Sequence, residues 1–581
     1  MALFTPSQSP AVVVKEIDLT GGVPNVQTST GAIVGKFRWG PVRERTLVSN
    51  EANLIDTFST PDTTNNIDFH AASYFLRYSQ SLYVVREAST AAKNAQVIGI
   101  IGASTAPIQI RNKTHFDVLS FDSGEAYLAR FPGDLGNSLQ VQYCVQDSAS
   151  AGFGAWSLSS AFDAAPTTSA FDSDRNGVNT GIHLAVVDED GLFTGTKGQV
   201  LEAYPFLSLA SNSKNEDGST AYFKDVINER SNFIYVTNQF DSDLTSANAG
   251  AALTPGTEII FNVGTNQKAK SFTGGIDSAA LGTTEFLNGF DLFEDTEQVE
   301  VDFLIAPGMT TSVDQSTVVN DLVSTAQSLR KDCIVVTSPA RNDVVGFTNA
   351  TLLTNAITET MNDFFTKSSY LVVDGNYLKV YDKFNDQYIQ IPAASSTAGL
   401  MAETDRNAAP WFSPAGARRG QYLGVTSIDY NPNKSQRDTL YKAGVNPITN
   451  IAGGGVTLFG DKTALKRPSA FDRINVRRLF LVLERAIGRA AQNVLFEFND
   501  EFTRAEFVNV IEPVLRDVKG RRGITDFRIV ADETVNTPAV IDRNEFIANI
   551  FIKPARSINY VTLNFVAVRT GVDFEEVVGT V

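Results

Sequence analysis

The sequence predicts an α+β multi-domain protein: an α/β body split by a small all-β insertion, an α+β C-terminal domain, and an extended strand arm at each end. Three observations predict it. A chain of 581 residues is too long for one hydrophobic core and divides into about three to five domains. Its texture changes from strand–helix alternation to a Ser/Thr-rich tract with alternating apolar positions, and back again. The β-branched tracts PAVVVKEID and DFEEVV, near the two ends, lack a local partner strand. With 43% hydrophobic and 19% charged residues the chain belongs with folded globular proteins rather than disordered ones.

The first strand, Pro10 to Asp18, is followed by the loop residues Gly21, Gly22 and Pro24, so it needs a partner from elsewhere. Strands over Gly31 to Phe37 and Leu82 to Glu87, with a helix around Asp68 to Tyr78, form an α/β pattern. From Ala92 to Ala185 the alternation in IQIRNKTHFDVLSF and SLQVQYCVQD, with the turn Pro132-Gly133-Asp134, reads as an inserted β domain. Alternating strands and helices then resume through Arg341, including a helix around Thr317 to Arg330. A helix near Thr351 to Phe364 and a hairpin expected at Asp374-Gly375 open the next section. The resulting domains are an arm at 1–22, a discontinuous α/β domain at 23–91 and 186–341, the β insertion at 92–185, a second middle domain at 342–461, and the C-terminal domain at 462–581. In the last of these, a helix within Lys466 to Asp500, another over Glu501 to Val518, and strands near 524–531, 548–553 and 558–568 make the α+β sandwich. No fixed-period repeat occurs.

Charge separates the ends of the chain. The net charge is −17, from 48 basic and 65 acidic side chains, which argues against a general nucleic-acid or anionic-membrane binder. From Lys462 onward 18 Lys and Arg stand against 16 Asp and Glu, a net of +2 that leaves −19 for the first 461 residues. In the helix after Lys466, successive 100° rotations bring Arg478, Arg485 and Arg489 within about 20° of one line. Leu479, Leu483, Ala486, Ile487, Ala490 and Val494 fall on the neighbouring arc, which can pack on a core. Taken alone, the arginine stripe is a solvated charged face.

The sequence carries no recognisable catalytic constellation. GGGVTLFGDKT, residues 453 to 463, approximates a phosphate loop, but Asp461 lengthens the spacing and sets a carboxylate where backbone N–H groups would meet phosphate. His70, His115 and His183 lie in separate segments, and neither CxxC nor HExxH occurs. The acids of DEDG at 188–191 lack calcium-loop spacing. Cys144 and Cys333 read as buried small hydrophobes, compatible with synthesis in a reducing cytoplasm. Neither a secretory signal nor a membrane-spanning apolar run is found. No cofactor and no metal are expected.

Several stretches, in order along nearly the whole chain, together resemble the contractile tail sheath proteins of myoviruses, the large multi-domain type. They are SPAVVVKEIDLT, TSTGAIVGKFRWGP, ARFPGDLGNSL, VVDEDGLFTGTKGQVLE, FKDVINERSNFIYV, GFDLFEDTEQVEVDFLI, GDKTALKRPSAFDRINVRRLF and TGVDFEEVVG. Ala11 stands where such proteins often have glycine. The resemblance implies a structural, non-enzymatic subunit that polymerises as helical stacked rings around a tail tube and contracts to drive the tube through the host envelope. It implies that Val12, Val13, Val14, Lys15, Glu16 and Ile17, and Phe574, Glu575, Glu576, Val577 and Val578, are strands donated to neighbouring subunits. The C-terminal domain would then be the inner one, with Arg478, Arg485 and Arg489 facing the tube, and the β insertion would lie outermost. The implied partners are other sheath subunits in a helical homo-oligomer, the tail tube protein, and baseplate and tail terminator proteins. Direct nucleic-acid contact and membrane insertion are not implied. The implied location is the virion tail, assembled in the host cytoplasm. The alternatives are the sheath of a phage-derived injection device and, in another class, a receptor-binding virion protein or an enzyme.

Overall fold

In the computed structural model the described residues are 28–99, 106–121, 124–146, 151–261, 267–451 and 453–558. They fall into two compact units: a body of residues up to Pro410 and from Pro414 to Arg485, and a C-terminal unit containing Trp411–Ser413 and the residues from Ala486 onward.

The body is built on a seven-stranded sheet. Its strands run in the order Val445–Asn446, Leu371–Asp374, Ile334–Thr337, Phe303–Ile305, Gly31–Gly35, Leu82–Arg86, Arg45–Val48. All neighbours are parallel except the last pair. A parallel sheet covered on both faces needs nearly continuous β-branched strands, and GAIVG, FLI, IVVT and LVVD supply them. The two-residue period of a strand sorts their side chains. Ala32, Val34, Leu304, Val335 and Val373 join one core with residues of the helices Thr283–Phe290, Ser312–Ser324 and Ala350–Glu359. Ile33, Ile305, Val336 and Val372 join the other, with residues of Glu51–Phe58, Asn66–Leu76 and Ala394–Asn407 and with Ile474 and Leu481.

The structure corrects three boundaries. The expected hairpin at Asp374-Gly375 does not form, because the strand ending at Asp374 stays in the parallel sheet while Tyr377–Asp382 pairs with Gln387–Pro392. The hairpin turns instead at 383–386, where Asp386 adopts φ 50°. Residues 342–461 therefore are not a separate middle domain in the body, since they contribute two of the seven strands. The β insertion also runs past Ala185. Its four-stranded sheet takes in Gln199–Ser208 and Gln267–Ser271, and its three-stranded sheet Ile234–Val236. One apolar core links residues from Ala95 to Phe272, so long-range pairing overrides the change of texture at residue 185.

Two buried groups join the insertion to the sheet. Trp39 sits among Phe131, Phe193 and Phe233, edge-on to the first two at 5.4 and 5.1 Å and stacked with the third at 6.4 Å. Arg86, 1% exposed, donates from Nε to Phe37 O at 2.8 Å, from Nη1 to Gly40 O at 2.7 Å, and from Nη2 to Pro132 O at 2.6 Å and Arg38 O at 3.3 Å. Burial lowers its pKa to about 10. Elsewhere in the insertion Trp156 stacks on Phe162 at 5.1 Å and donates Nε1–H to Gln142 Oε1 at 3.2 Å.

Arg86→Met should remove the donors for these carbonyls and cost about 2–5 kcal/mol, read as a lower urea midpoint by circular dichroism. Asp374 gives a pH-dependent test. Burial raises its carboxyl from 3.8 to about 7, and Oδ1 has no hydrogen-bond partner. The folded state therefore holds the proton more tightly than the unfolded chain, so this group's contribution is full below pH 4 and is lost as pH rises through about 7. Asp374→Asn should gain stability relative to wild type between pH 5 and 8, by about 1–3 kcal/mol. Parallel melting curves across that range check it.

Candidate functional site

The helix singled out by its arginines spans Ile474–Gln492. Of the predicted apolar arc, Leu479, Leu483, Ala486 and Ala490 are buried, Ile487 is half-buried, and Val494 lies beyond the helix end. The division between the two units falls inside it, between Arg485 and Ala486, rather than at residue 462.

The arginine stripe is a correction. Arg478 is buried and Arg485 half-buried, and each is paired with a carboxylate of the body rather than lying on a solvated charged face. Arg478 forms a bidentate pair with Asp405, donates to Met401 O at 3.0 Å and Thr28 O at 3.2 Å, and lies 4.8 Å over the Phe303 ring. Arg485 donates from Nη1 to Asp302 Oδ1 at 2.7 Å and from Nη2 to Asp332 O at 2.7 Å. Asp302 in turn accepts from the backbone N–H of Thr30 at 2.9 Å. Burial pushes Asp405 up to about 6 against the pull of Arg478, and raises Asp302 against Arg485. These pairs hold residues 28–30, which lead into the first sheet strand, against the same helix. Arg489 is half-buried.

The other singled-out groups are structural. GGGVTLFGDKT contains the strand Gly455–Leu458, paired antiparallel with Ile448–Ile451, and Asp461 takes Arg473 at 2.8 Å. His70 Nε2 lies 3.1 Å from Asp382 Oδ1, and His183 Nε2 lies 2.8 Å from Ala164 O. His115 Nδ1 accepts from Arg111 N at 3.2 Å. Burial pushes the thiols of Cys144 and Cys333 up, to about 11 and about 12. Neither is a ready nucleophile. Asp188, in the DEDG turn, accepts from Ser138 Oγ at 2.6 Å and from the N–H groups of Leu192, Phe193 and Thr194 at 2.8–3.0 Å. This is loop closure by a carboxylate.

The C-terminal unit pairs the helix Glu501–Gly520 with a hairpin of Ile524–Val530 and Asn549–Pro554. Asp500 caps the helix by accepting from Thr503 N at 2.8 Å. Arg504, Phe507, Ile511, Leu515 and Val518 form its buried stripe. Trp411 joins the unit by donating Nε1–H to Arg521 O at 3.1 Å. Among the described residues neither hairpin strand has a second neighbour, so both outer edges are open. The insertion treats its edges differently. Lys268 and Lys270, paired with Asp243 at 2.9 and 3.1 Å, lie on one edge strand, and Pro205 with two register shifts interrupts the other. The arm residues Val12, Val13, Val14, Lys15, Glu16 and Ile17 and Phe574, Glu575, Glu576, Val577 and Val578 lie outside the described residues.

Residues 279–464 match the family model for the phage tail sheath protein central domain, and residues 466–567 that for the phage tail sheath C-terminal domain. The tail sheath protein of Vibrio phage KVP40 is 32% identical, over 98% of this chain and 99% of its own length. The chain belongs to the phage tail sheath protein family. The tail sheath proteins of Enterobacteria phage T4 and Salmonella phage ViI are 32% and 30% identical, each over at least 98% of both chains. A solved sheath tail protein from Listeria innocua shares the fold with a TM-score of 0.55 at 11% identity, over 92% of this chain and 94% of its own. One from Desulfitobacterium hafniense gives 0.50 at 12%, over 94% of this chain and 100% of its own. The central-domain match of this sheath family member begins just after the last insertion strand, Gln267–Ser271.

Removing one partner of the buried pairs should destabilise the body. Asp302→Ala removes the nearer of the two carboxylates beside Arg485, leaving Asp332 at 3.8 Å, together with the acceptor of the Thr30 N–H, and should cost about 3–5 kcal/mol. Asp302→Ala with Arg485→Met should recover most of that loss, as a double-mutant cycle in urea would measure.

Proposed function

We propose that this chain is the structural subunit of a viral contractile tail sheath. It polymerises as helical stacked rings around the tail tube and contracts to drive the tube through the host envelope. The observation that carries this reading is the end-to-end match to tail sheath proteins of three phages at 30–32% identity. The open hairpin of the C-terminal unit supports it, because a two-stranded sheet with apolar residues on it is marginal alone and gains from added strands.

On this reading the arms, residues 12–17 and 574–578, are the strands added to neighbouring subunits, and backbone hydrogen bonds keep subunits linked while domains move as rigid bodies. The stroke is mechanical and needs no nucleotide. Free energy is stored in the interfaces of the extended polymer, and a small gain per subunit sums over many copies. The partners are other copies of the chain, the tube, the baseplate and the tail terminator. The subunit acts in the virion tail after assembly in the host cytoplasm. Of the arginine stripe, Arg489 is the residue assigned to the tube.

Negative-stain microscopy of the purified protein, with and without tubes, tests the reading: hollow cylinders are expected, and discrete particles would overturn it. Deleting residues 1–22 should leave a soluble subunit with unchanged circular dichroism that forms no cylinders. Normal cylinders from that deletion would remove the arm from the mechanism.

A further inference from the structure

The turn before the Glu501–Gly520 helix displays apolar surface that the described residues of the C-terminal unit do not cover. It reads LFEFNDEF from residue 495, and Phe496, Phe498 and Phe502 are 104%, 85% and 76% exposed. Phe496 also has φ 72°, a left-handed conformation that a bulky aromatic residue avoids. Acids alternate with these rings: Glu497, Asp500 and Glu501. The result is a small aromatic surface in a negative frame.

The far end of the same helix has the opposite character. Arg516, Lys519, Arg521 and Arg522 are exposed there, and Lys553 of the hairpin shares Asp526 with Lys519. Among the described residues three carboxylates, Glu512, Asp517 and Asp526, pair with these five cations. A helix of 20 residues sets the two ends about 30 Å apart. They cannot neutralise one another within one subunit. An aromatic face framed by acids is suited to guanidinium and ammonium groups, which pair with the carboxylates and lie over the rings. Unlike ends on one rigid element also suit a head-to-tail contact, which closes into rings or extends into helices.

We propose that Phe496, Phe498 and Phe502, with Glu497 and Glu501, dock on the Arg516–Arg522 end of this helix in a second copy of the chain. The contact is additional to strand donation by the arms. It rests on the reading of the chain as a polymer subunit and names the surface by which copies follow one another.

The test uses the full chain and follows assembly by light scattering and sedimentation. Phe496→Ser with Phe498→Ser should raise the concentration needed for half-assembly at least about tenfold, as loss of central aromatic anchors does. The melting temperature of the unassembled subunit should not change. Glu497→Arg with Glu501→Arg should assemble poorly, and so should Arg521→Glu with Arg522→Glu. Mixed in equal amounts, these two charge variants should assemble together, because every junction between unlike copies then pairs opposite charges. Wild-type assembly by either charge variant alone, or failure of the mixture to recover, overturns the proposal. A lower melting temperature for the serine variant also overturns it, by showing that the chain's own residues cover the rings. Failure of the wild-type protein to form cylinders would instead tell against the polymer reading itself.

Discussion

A guanidinium group withdrawn from water must find an acceptor for nearly every N–H, and this requirement organises the body of the protein. Arg86 spends its donors on four carbonyls from two loops. Arg330 binds Phe293 O, Val299 O at 2.9 Å and the Asp332 carboxylate. Arg478 and Arg485 join distant segments in the same way. Loops carry backbone carbonyls that helix and sheet do not satisfy, and a long planar donor can gather several at once. Each buried arginine thus converts irregular chain into fixed geometry, at a desolvation cost recovered only when all its partners are present.

Fixed geometry inside the body contrasts with unfinished surface in the C-terminal unit. Lysines and a proline close the insertion's sheet edges to further pairing. Among the described residues the C-terminal hairpin has no third strand, Lys553 and Pro554 stand only at the end of one of its two strands, and the aromatic turn before its helix is exposed. A protein that must stay discrete on one part of its surface and associate on another is expected to divide its edge chemistry this way.

Much of this was legible in the sequence, for identifiable reasons. The β-branched runs located the parallel strands, and Leu479, Leu483, Ala486 and Ala490 of the predicted apolar arc are buried. The stretches that carried the family resemblance converge in space: RFPGD, FRWGP, GLFTG and SNFIY each supply a ring to the Trp39 cluster. The role of Arg478 and Arg485 was not legible. Their carboxylates lie 73 and 183 residues away in the chain, so a helical projection shows a charged stripe and nothing of what neutralises it. Asp374-Gly375 misled for a related reason. A turn dipeptide reports local backbone preference, whereas pairing of its strand was decided by neighbours far along the chain.

The three tryptophans are divided among three regions of the chain. Trp156 lies in the insertion, Trp39 where insertion and sheet meet, and Trp411 in the C-terminal unit. Each surveys a different part of the molecule. Variants that keep one of the three would therefore carry a built-in optical probe for that part, without any attached dye. Emission and quenching could then be followed separately at three places while subunits associate, so that the order in which regions lose access to solvent becomes a measurable sequence of events.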